Sequence, residues 1–408
     1  MKVGIIGAGA SGLMAAYTAA KKGHKVTLLE HTGRAGRKLL ATGGGKCNLS
    51  NEDMSLSHFH GDEDFIKAVL GAVSREDVFD ILGEMGLLIG VRNGYYYPYS
   101  EQAKEVLKVL NLACRRQKVN LILDCNVLNI SYFANGAAGS PSFNVSTDLG
   151  EYIFDKLIIA AGSKASSKTG SDGSGYDIAS MLGHKIITPL PALCALRCEG
   201  NFWKKLKGIR CRADISLSVD GEVLGSDSGE LQLTDYGLSG IPAMQLSYLA
   251  SKALNMNKRP VAHVNFLKGY DKVRAKEFIE QRLKAFSCDA ISDALTGIVH
   301  EGILAVLLDK CSLAISRSAG SISKKEIDCL IDAICNFSVR VNAANSFEEA
   351  QICCGGVDTG EVNYNLESKL KKGLFFAGEI LDVNGDCGGY NLQWAFSTGA
   401  LSGGYKDA

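Results

Sequence analysis

Residues 2–30 read KVGIIGAGASGLMAAYTAAKKGHKVTLLE. The apolar run at 3–6, bounded by glycine, has the character of a buried parallel strand. Residues 11–22 are rich in alanine with few breakers and predict a helix, which Gly23 stops. A second apolar run, 26–29, predicts another strand and leads into Glu30. At the first strand-to-helix turn stand Gly7, Gly9 and Gly12. As G-x-G-x-x-G they allow a tight turn, close backbone approach to a pyrophosphate, and close helix–strand packing. Ala10 and Ser11 open the helix, whose free N–H groups and positive dipole end favour phosphate. Glu30 sits at the second strand tip, where a carboxylate accepts hydrogen bonds from a ribose diol. The motif alone arises easily in a chain with 46 glycines among 408 residues. The order strand, motif, helix, strand, acid is far more restrictive and predicts an α/β Rossmann-type unit. The plainer alternative is a βαβ unit whose glycines serve packing only.

The dinucleotide could be NAD or FAD, and the next segment favours FAD. HTGRAGRKLLATGGGKCNLSN follows Glu30 directly. Arg37 and Lys38 can meet phosphate charge. Thr42, Gly43 and Gly44 bring backbone close to a ribityl chain and flavin with no side chain intervening. Near the other end, GLFFAGE predicts a short buried strand that ends at Gly378 and Glu379, next to the ribityl–pyrophosphate region. CGGYNLQWAFSTGAL then predicts a helix whose first N–H groups are free. Reduction of a flavin places negative charge on its N1–C2=O edge, which a helix N-terminus stabilises. Gly389, Tyr390, Asn391 and Leu392 are therefore assigned to the flavin, against the alternative of an ordinary terminal helix packed on a sheet.

A site built from both chain ends makes the middle an insertion. The predicted fold class is α/β: a glutathione-reductase-type FAD-binding Rossmann fold, with an inserted β-rich subdomain and a small helical one. The predicted boundaries are 1–191 for the first part of the FAD domain, 192–265 for the β-rich insertion, 266–345 for the helical part and return, and 346–408 for the second part of the FAD domain. Asp220-Gly221 is a hairpin signal inside the insertion.

Lys+Arg and Asp+Glu both number 44, so the formal net charge is zero. That lacks the basic footprint of a nucleic-acid binder. No apolar stretch reaches the ~18 residues of a membrane span. Thirteen cysteines, odd in number and without a CxxC pair, read as reduced thiols. With a strand beginning at the second residue in place of a signal peptide, the expected location is the cytoplasm. Adjacent Cys353 and Cys354 read as small apolar side chains of a strand, not as a redox dithiol. No HExxH, GxSxG or zinc-spaced Cys/His set is present, so no metal is expected.

These segments resemble the BaiN/YhiN-type FAD-dependent oxidoreductase family, which includes aminoacetone-oxidase-like flavoproteins and a bacterial bile-acid reductase. TGGGKCNLSN, 42–51, is similar to the (S/T)-G-G-G-R-C-N-x-(S/T)-N segment of that family. Lys46 stands where arginine is usual, keeping the charge but losing the bidentate fork. LIIAAGSKASSKTGSDGSGYDIASMLGH, 157–184, resembles the strand that closes over the adenine side, which places Gly162 there. The resemblance also implies a backbone contact from Val127 to the adenine. LQLTDYGLSGIP is similar to a T-H-Y-G-L-S-G signature, with Asp235 in place of histidine. The segment from Cys353 onward is similar nearly throughout.

The resemblance implies a small-molecule substrate and an enzyme. The favoured expectation is an NAD(P)H-driven reductase of conjugated C=C bonds in 3-oxo-4,6-diene bile-acid (steroid) intermediates. With no second G-x-G-x-x-G unit, NADH or NADPH would dock transiently. The alternative is an amine oxidase that acts on aminoacetone or a similar amine and passes electrons to oxygen. An RNA-modifying flavoprotein and a non-catalytic flavin module are further alternatives. Tyr97, Tyr236 and Tyr390 are the named proton-donor candidates, with Tyr95 and Tyr96 beside them, since a phenol can protonate an enolate carbon. Packing is the plainer role for each. His58 and His60, flanking Phe59, are expected to be exposed in a polar loop.

Overall fold

The structure, a computed structural model, describes residues 1–134 and 141–406. Among these residues the chain divides into two compact units, one formed by 1–190 with 351–408 and the other by 191–350.

The first unit is organised on a parallel sheet. Its five strands, in spatial order, are Leu374–Phe376, Lys156–Ile159, Lys2–Ile6, Lys25–Leu29 and Asn120–Ile122. Val3, Ile5, Leu28, Ile158 and Phe376 are fully or almost fully buried, as a sheet covered on both faces requires. The first helix, Ala10–Lys21, is buried from Ser11 to Ala20. Its small side chains allow a close approach by the last helix, Tyr390–Ser402: a Cβ on Gly399 would stand 2.4 Å from the Ser11 carbonyl oxygen. Gly23 ends the first helix with φ +82, a conformation that a side chain would strain. A three-stranded antiparallel sheet, Val127–Phe133, Ser142–Thr147 and Gly150–Phe154, is inserted before the fourth-placed parallel strand in the sequence. No helix among the described residues is long and apolar enough to cross a membrane.

The second unit is a closed antiparallel barrel with helices. Among the described residues the barrel has six strands, in the order Leu196–Cys198, Gly237–Ser239, Glu222–Leu233, Arg210–Val219, Val261–Asn265 and Phe337–Ala344. Asp220 and Gly221 form the expected two-residue hairpin, both with positive φ. The expected separation of a β-rich part from a helical part is not what the structure shows. The segment 266–345 ends in Phe337–Ala344, which closes the barrel, and barrel and helix residues share one core that includes Leu217, Val264, Leu307, Ile331 and Phe337. The strand was hidden because its partners, Val261–Asn265 and Leu196–Cys198, lie far away in sequence.

Candidate functional site

The residues singled out in the first unit gather where its parallel strands end at their carboxyl tips, the position where open α/β sheets bind ligands. Gly7 follows the first strand with φ +97, and a Cβ there would stand 2.5 Å from the Ala160 carbonyl oxygen. Gly12 is closer still to its neighbour, 1.9 Å from the Gly7 oxygen. Gly9 is different. It caps the first helix without any side-chain hydrogen bond, and a Cβ there would meet nothing within 4 Å. The N–H groups of Ala10, Ser11 and Gly12 belong to this uncapped first turn. Two of the three motif glycines are thus required by packing, and the third leaves open space in front of a helix N-terminus.

Glu30 is almost buried, at 8% exposure. Its Oε2 accepts from the Ala8 N–H at 2.8 Å; its Oε1 accepts from the Thr32 N–H at 3.0 Å and hydroxyl at 2.7 Å. These bonds orient the carboxylate at the strand tip, and Ala8 is the one hydrogen-bond donor to Oε2 among the described residues. Cys125 donates its N–H to the Glu30 carbonyl at 3.0 Å, which sets Val127, at the start of the next strand, two residues away. Gly162 lies just past the Lys156–Ile159 strand.

The loop 41–47 explains its run of glycines. Gly43, Gly44 and Gly45 all have positive φ, so the chain turns left-handed three times in succession. Gly43 packs against the Asn48 backbone, whereas Gly44 and Gly45 face open space. Thr42 donates its hydroxyl to the Leu39 carbonyl at 2.6 Å. The Asn48 side-chain oxygen is buried without a partner among the described residues. Burial pushes the neighbouring Cys47 thiol up to about 12, which keeps it protonated and unreactive. Lys46 makes a single-point contact with Glu101 at 2.8 Å.

Two charges are already committed within the protein. Lys38 pairs with Glu379 at 2.5 Å, and Ser163 donates to the same carboxylate oxygen at 3.0 Å. Arg37 donates to the Lys168 carbonyl at 2.8 Å. These three interactions hold 37–38, 163–168 and 379 together around the strand tips. Gly378, with φ +82, lies so close to Ser11 that a Cβ would be 2.5 Å from its hydroxyl. The two chain ends therefore meet at the helix N-terminus that Gly9 opens. Gly389, φ +100, abuts the Ser50 backbone and caps the last helix without a side-chain bond. Asn391 binds its own entry turn: it accepts from Gly385 N–H at 2.8 Å and donates to the Gly385 and Asp386 carbonyls at 2.8 and 3.2 Å. Leu392 is the second residue beyond Tyr390 in that first turn.

An uncapped helix end facing open space, an oriented carboxylate at the next strand tip, a left-handed glycine loop and an orphaned buried amide oxygen fit a dinucleotide that continues into a second ring system, as FAD does. Residues 1–405 match the family described as HI0933-like protein Rossmann domain. The chain belongs to this family. It is 37% identical over 406 residues to the 3-dehydro-bile acid delta(4,6)-reductase of Clostridium scindens, covering 98% of each chain. It is 27% identical over 402 residues to the ribosomal RNA dihydrouridine synthase of Haemophilus influenzae, covering 97% of this chain and 95% of the relative. The Escherichia coli protein of the same name is 25% identical over 401 residues, with coverages of 97% and 95%.

In this HI0933-like protein the tyrosine candidates divide between the two units. Tyr236 belongs to the other unit, where its hydroxyl accepts from Asn345 at 2.9 Å and Arg197 lies over its ring. Tyr95, Tyr96 and Tyr97 lie on the strand Tyr95–Pro98; Tyr96 packs edge-on to Phe79 with Arg75 over it, and Arg92 lies over Tyr97. Burial raises the Tyr97 phenol. Tyr390 alone opens the last helix. It is 3% exposed, and burial pushes its phenol up, so it stays protonated at neutral pH.

The sequence reading missed what surrounds Tyr390. His58 stacks on its ring at 4.6 Å, with Phe59 edge-on at 5.5 Å. Asp386 bridges two histidines, 3.0 Å from His58 Nδ1 and 2.9 Å from His60 Nε2, while His58 Nε2 lies 3.2 Å from Asp53. The short pairing of Phe59–His60 with Asn384–Gly385 fixes this arrangement. The expectation of exposed loop histidines is corrected: both are half-buried. Burial pulls the His58 imidazole down, but its bonds to Asp386 and Asp53 outweigh that and raise its pKa. The available signal was the His-x-His spacing, which puts two imidazoles on the same side of an extended segment.

Proposed function

We propose that this protein is an FAD-dependent reductase, driven by NADH or NADPH, of C=C bonds conjugated to a carbonyl in 3-oxo-4,6-diene bile-acid (steroid) substrates. The observation that carries the substrate is the 37% identity, over 98% of both chains, to a relative named a 3-dehydro-bile acid delta(4,6)-reductase. FAD bound at the strand tips would supply hydride transfer chemistry. The first turn of the helix Ala10–Lys21 would hold its diphosphate, and Glu30 a ribose. Backbone from 43–44 and 389–392 would line its ring, and the helix start at Tyr390 would favour negative charge there. Tyr390, stacked on a histidine tied to Asp386, carries a proton next to that helix start.

The test is anaerobic. Purified protein reconstituted with FAD receives NADH or NADPH and a 3-oxo-4,6-diene bile acid. Substrate-dependent loss of nicotinamide absorbance, with the reduced steroid identified by mass spectrometry, is the expected result. Turnover absent with every 3-oxo-4-ene and 4,6-diene would overturn the substrate. Peroxide formed from aminoacetone and oxygen alone would favour the amine-oxidase reading.

A second reading is supported by the relatives named ribosomal RNA dihydrouridine synthases. Dihydrouridine is uridine with its carbonyl-conjugated C=C bond reduced, so both readings use one kind of hydride acceptor. The balanced charge, 44 of each sign, favours the small molecule, because RNA affinity is carried by net positive surface. Salt-sensitive retention on a polyanion and dihydrouridine formed in ribosomal RNA would reverse the preference.

A further inference from the structure

The helix Glu301–Lys310 ends at Cys311, and the helix Lys324–Cys335 carries Cys329 near its middle. The two sulfur atoms lie 3.0 Å apart, about 1 Å beyond a disulfide bond. Both cysteines are free thiols; Cys329 is exposed and Cys311 half-buried. Neither helix is a floppy carrier. Leu304, Leu307 and Leu308 on one, and Leu330, Ile331 and Ile334 on the other, are core residues of the same unit. The second helix starts with a capping box in which Ser323 and Glu326 bind each other reciprocally, and Arg317 adds a two-pronged pair to Glu326 at 2.6 and 3.2 Å. The connecting segment is thereby anchored, and the thiols are held together by packing and not by chance.

The geometry points to Cys311 and Cys329 as a reversible dithiol–disulfide pair, a redox modification site in the barrel unit that is separate from the flavin chemistry. The oxidant is a hydroperoxide such as hydrogen peroxide. Exposed Cys329 attacks the peroxide oxygen as its thiolate, breaking the O–O bond and giving a sulfenic acid and hydroxide. The Cys311 sulfur then attacks the Cys329 sulfur, hydroxide leaves, and the thiol proton joins it as water. Two thiols and one peroxide thus give one disulfide and two waters. Burial, and then the neighbouring Cys329 thiol, raise the Cys311 pKa, which leaves the first attack to exposed Cys329; in the second step Cys311 gives up its proton as its sulfur bonds to Cys329. Lys310, at the end of the first helix, donates to the Ser338 carbonyl at 3.2 Å, and burial lowers its pKa while the charges of the two cysteines oppose that. Cys47, Cys114, Cys125, Cys194, Cys198, Cys353 and Cys354 are buried and lack such access.

The full-length protein is treated with hydrogen peroxide, its remaining thiols are alkylated, and non-reduced peptides are mapped by mass spectrometry. The expected product joins Cys311 to Cys329 and reverts with dithiothreitol. Closing this loop raises the thermal midpoint of the oxidised protein by about 5 °C. Cys311→Ala and Cys329→Ala each abolish the cross-link and the shift while their reduced forms keep the wild-type circular dichroism. The inference is overturned if exposed Cys288 is oxidised in a sample where 311 and 329 remain unlinked. It is equally overturned if either cysteine pairs with Cys335 or with another chain, or if the link forms as readily in urea.

Discussion

A Cβ on Gly12 would stand 1.9 Å from the Gly7 oxygen, and one on Gly9 would meet nothing within 4 Å. Gly12→Ala is therefore expected to cost about 1–3 kcal/mol of stability by overpacking. Gly9→Ala should cost no more than about 1 kcal/mol, from a poorer helix cap, yet lower FAD affinity at least tenfold, about 1.4 kcal/mol. Urea denaturation of the apoproteins and flavin-fluorescence titration separate the two effects; equal stability losses would show that Gly9 also serves packing alone. The motif reading expected Gly9 at a pyrophosphate and Gly12 in helix–strand packing; Gly12 does pack on the Gly7 oxygen, and Gly9 leaves open space. His58 marks where the sequence stops being legible: Asp386, its partner, lies 328 positions away. A histidine whose pKa rises on folding stabilises the fold below its unfolded value, about 6.5, and loses that contribution as pH climbs through the raised value. Asp386→Asn should therefore destabilise the protein most near pH ~5.5, with the gap narrowing by pH ~8. His184 acts in the opposite sense, since burial lowers its pKa and its contribution fades as pH falls. It is present in both proteins, so the difference between their denaturation curves isolates the Asp386 effect.

Elements were legible where their own residues set them. The alanine-rich run announced the first helix, which occupies Ala10–Lys21 with Gly23 beyond its end, and Asp220-Gly221 announced its hairpin. The strand Phe337–Ala344 was not read, since its alternating pattern has meaning only against partners far along the chain. The last helix was predicted, but the role of Asn391 within it was not. The residue was assigned to the flavin through the free N–H groups of the helix start; its side chain fastens the turn before the helix through Gly385 and Asp386. Asn391→Ala should cost about 2–3 kcal/mol, the net worth of these bonds. It should also weaken FAD binding by loosening Gly389. Chemical denaturation with and without FAD checks both, and an unchanged midpoint would mean that Gly389 is held by its Ser50 contact alone.

At the scale of the whole molecule, two separate cores account for the interruption of the dinucleotide fold. Val3, Leu28, Ile158, Phe376 and Phe396 share one; Leu217, Val264, Leu307 and Ile331 share the other. The strands that leave for and return from the barrel are themselves partners: Leu196 lies opposite Ala344, and Asn345 donates its N–H to the Ala195 carbonyl at 2.9 Å. Antiparallel partners stand about 5 Å apart, a span that a two-residue turn closes. Replacing residues 196–344 with Asn-Gly should therefore leave a chain that unfolds cooperatively and takes up FAD as a yellow complex. The sheet, Gly9, Glu30, the 41–47 loop and the last helix all remain in it. Calorimetry and the flavin spectrum provide the check. A colourless but cooperative product would place a required FAD contact within 196–344, and an uncooperative one would show that the first core needs the second in order to fold.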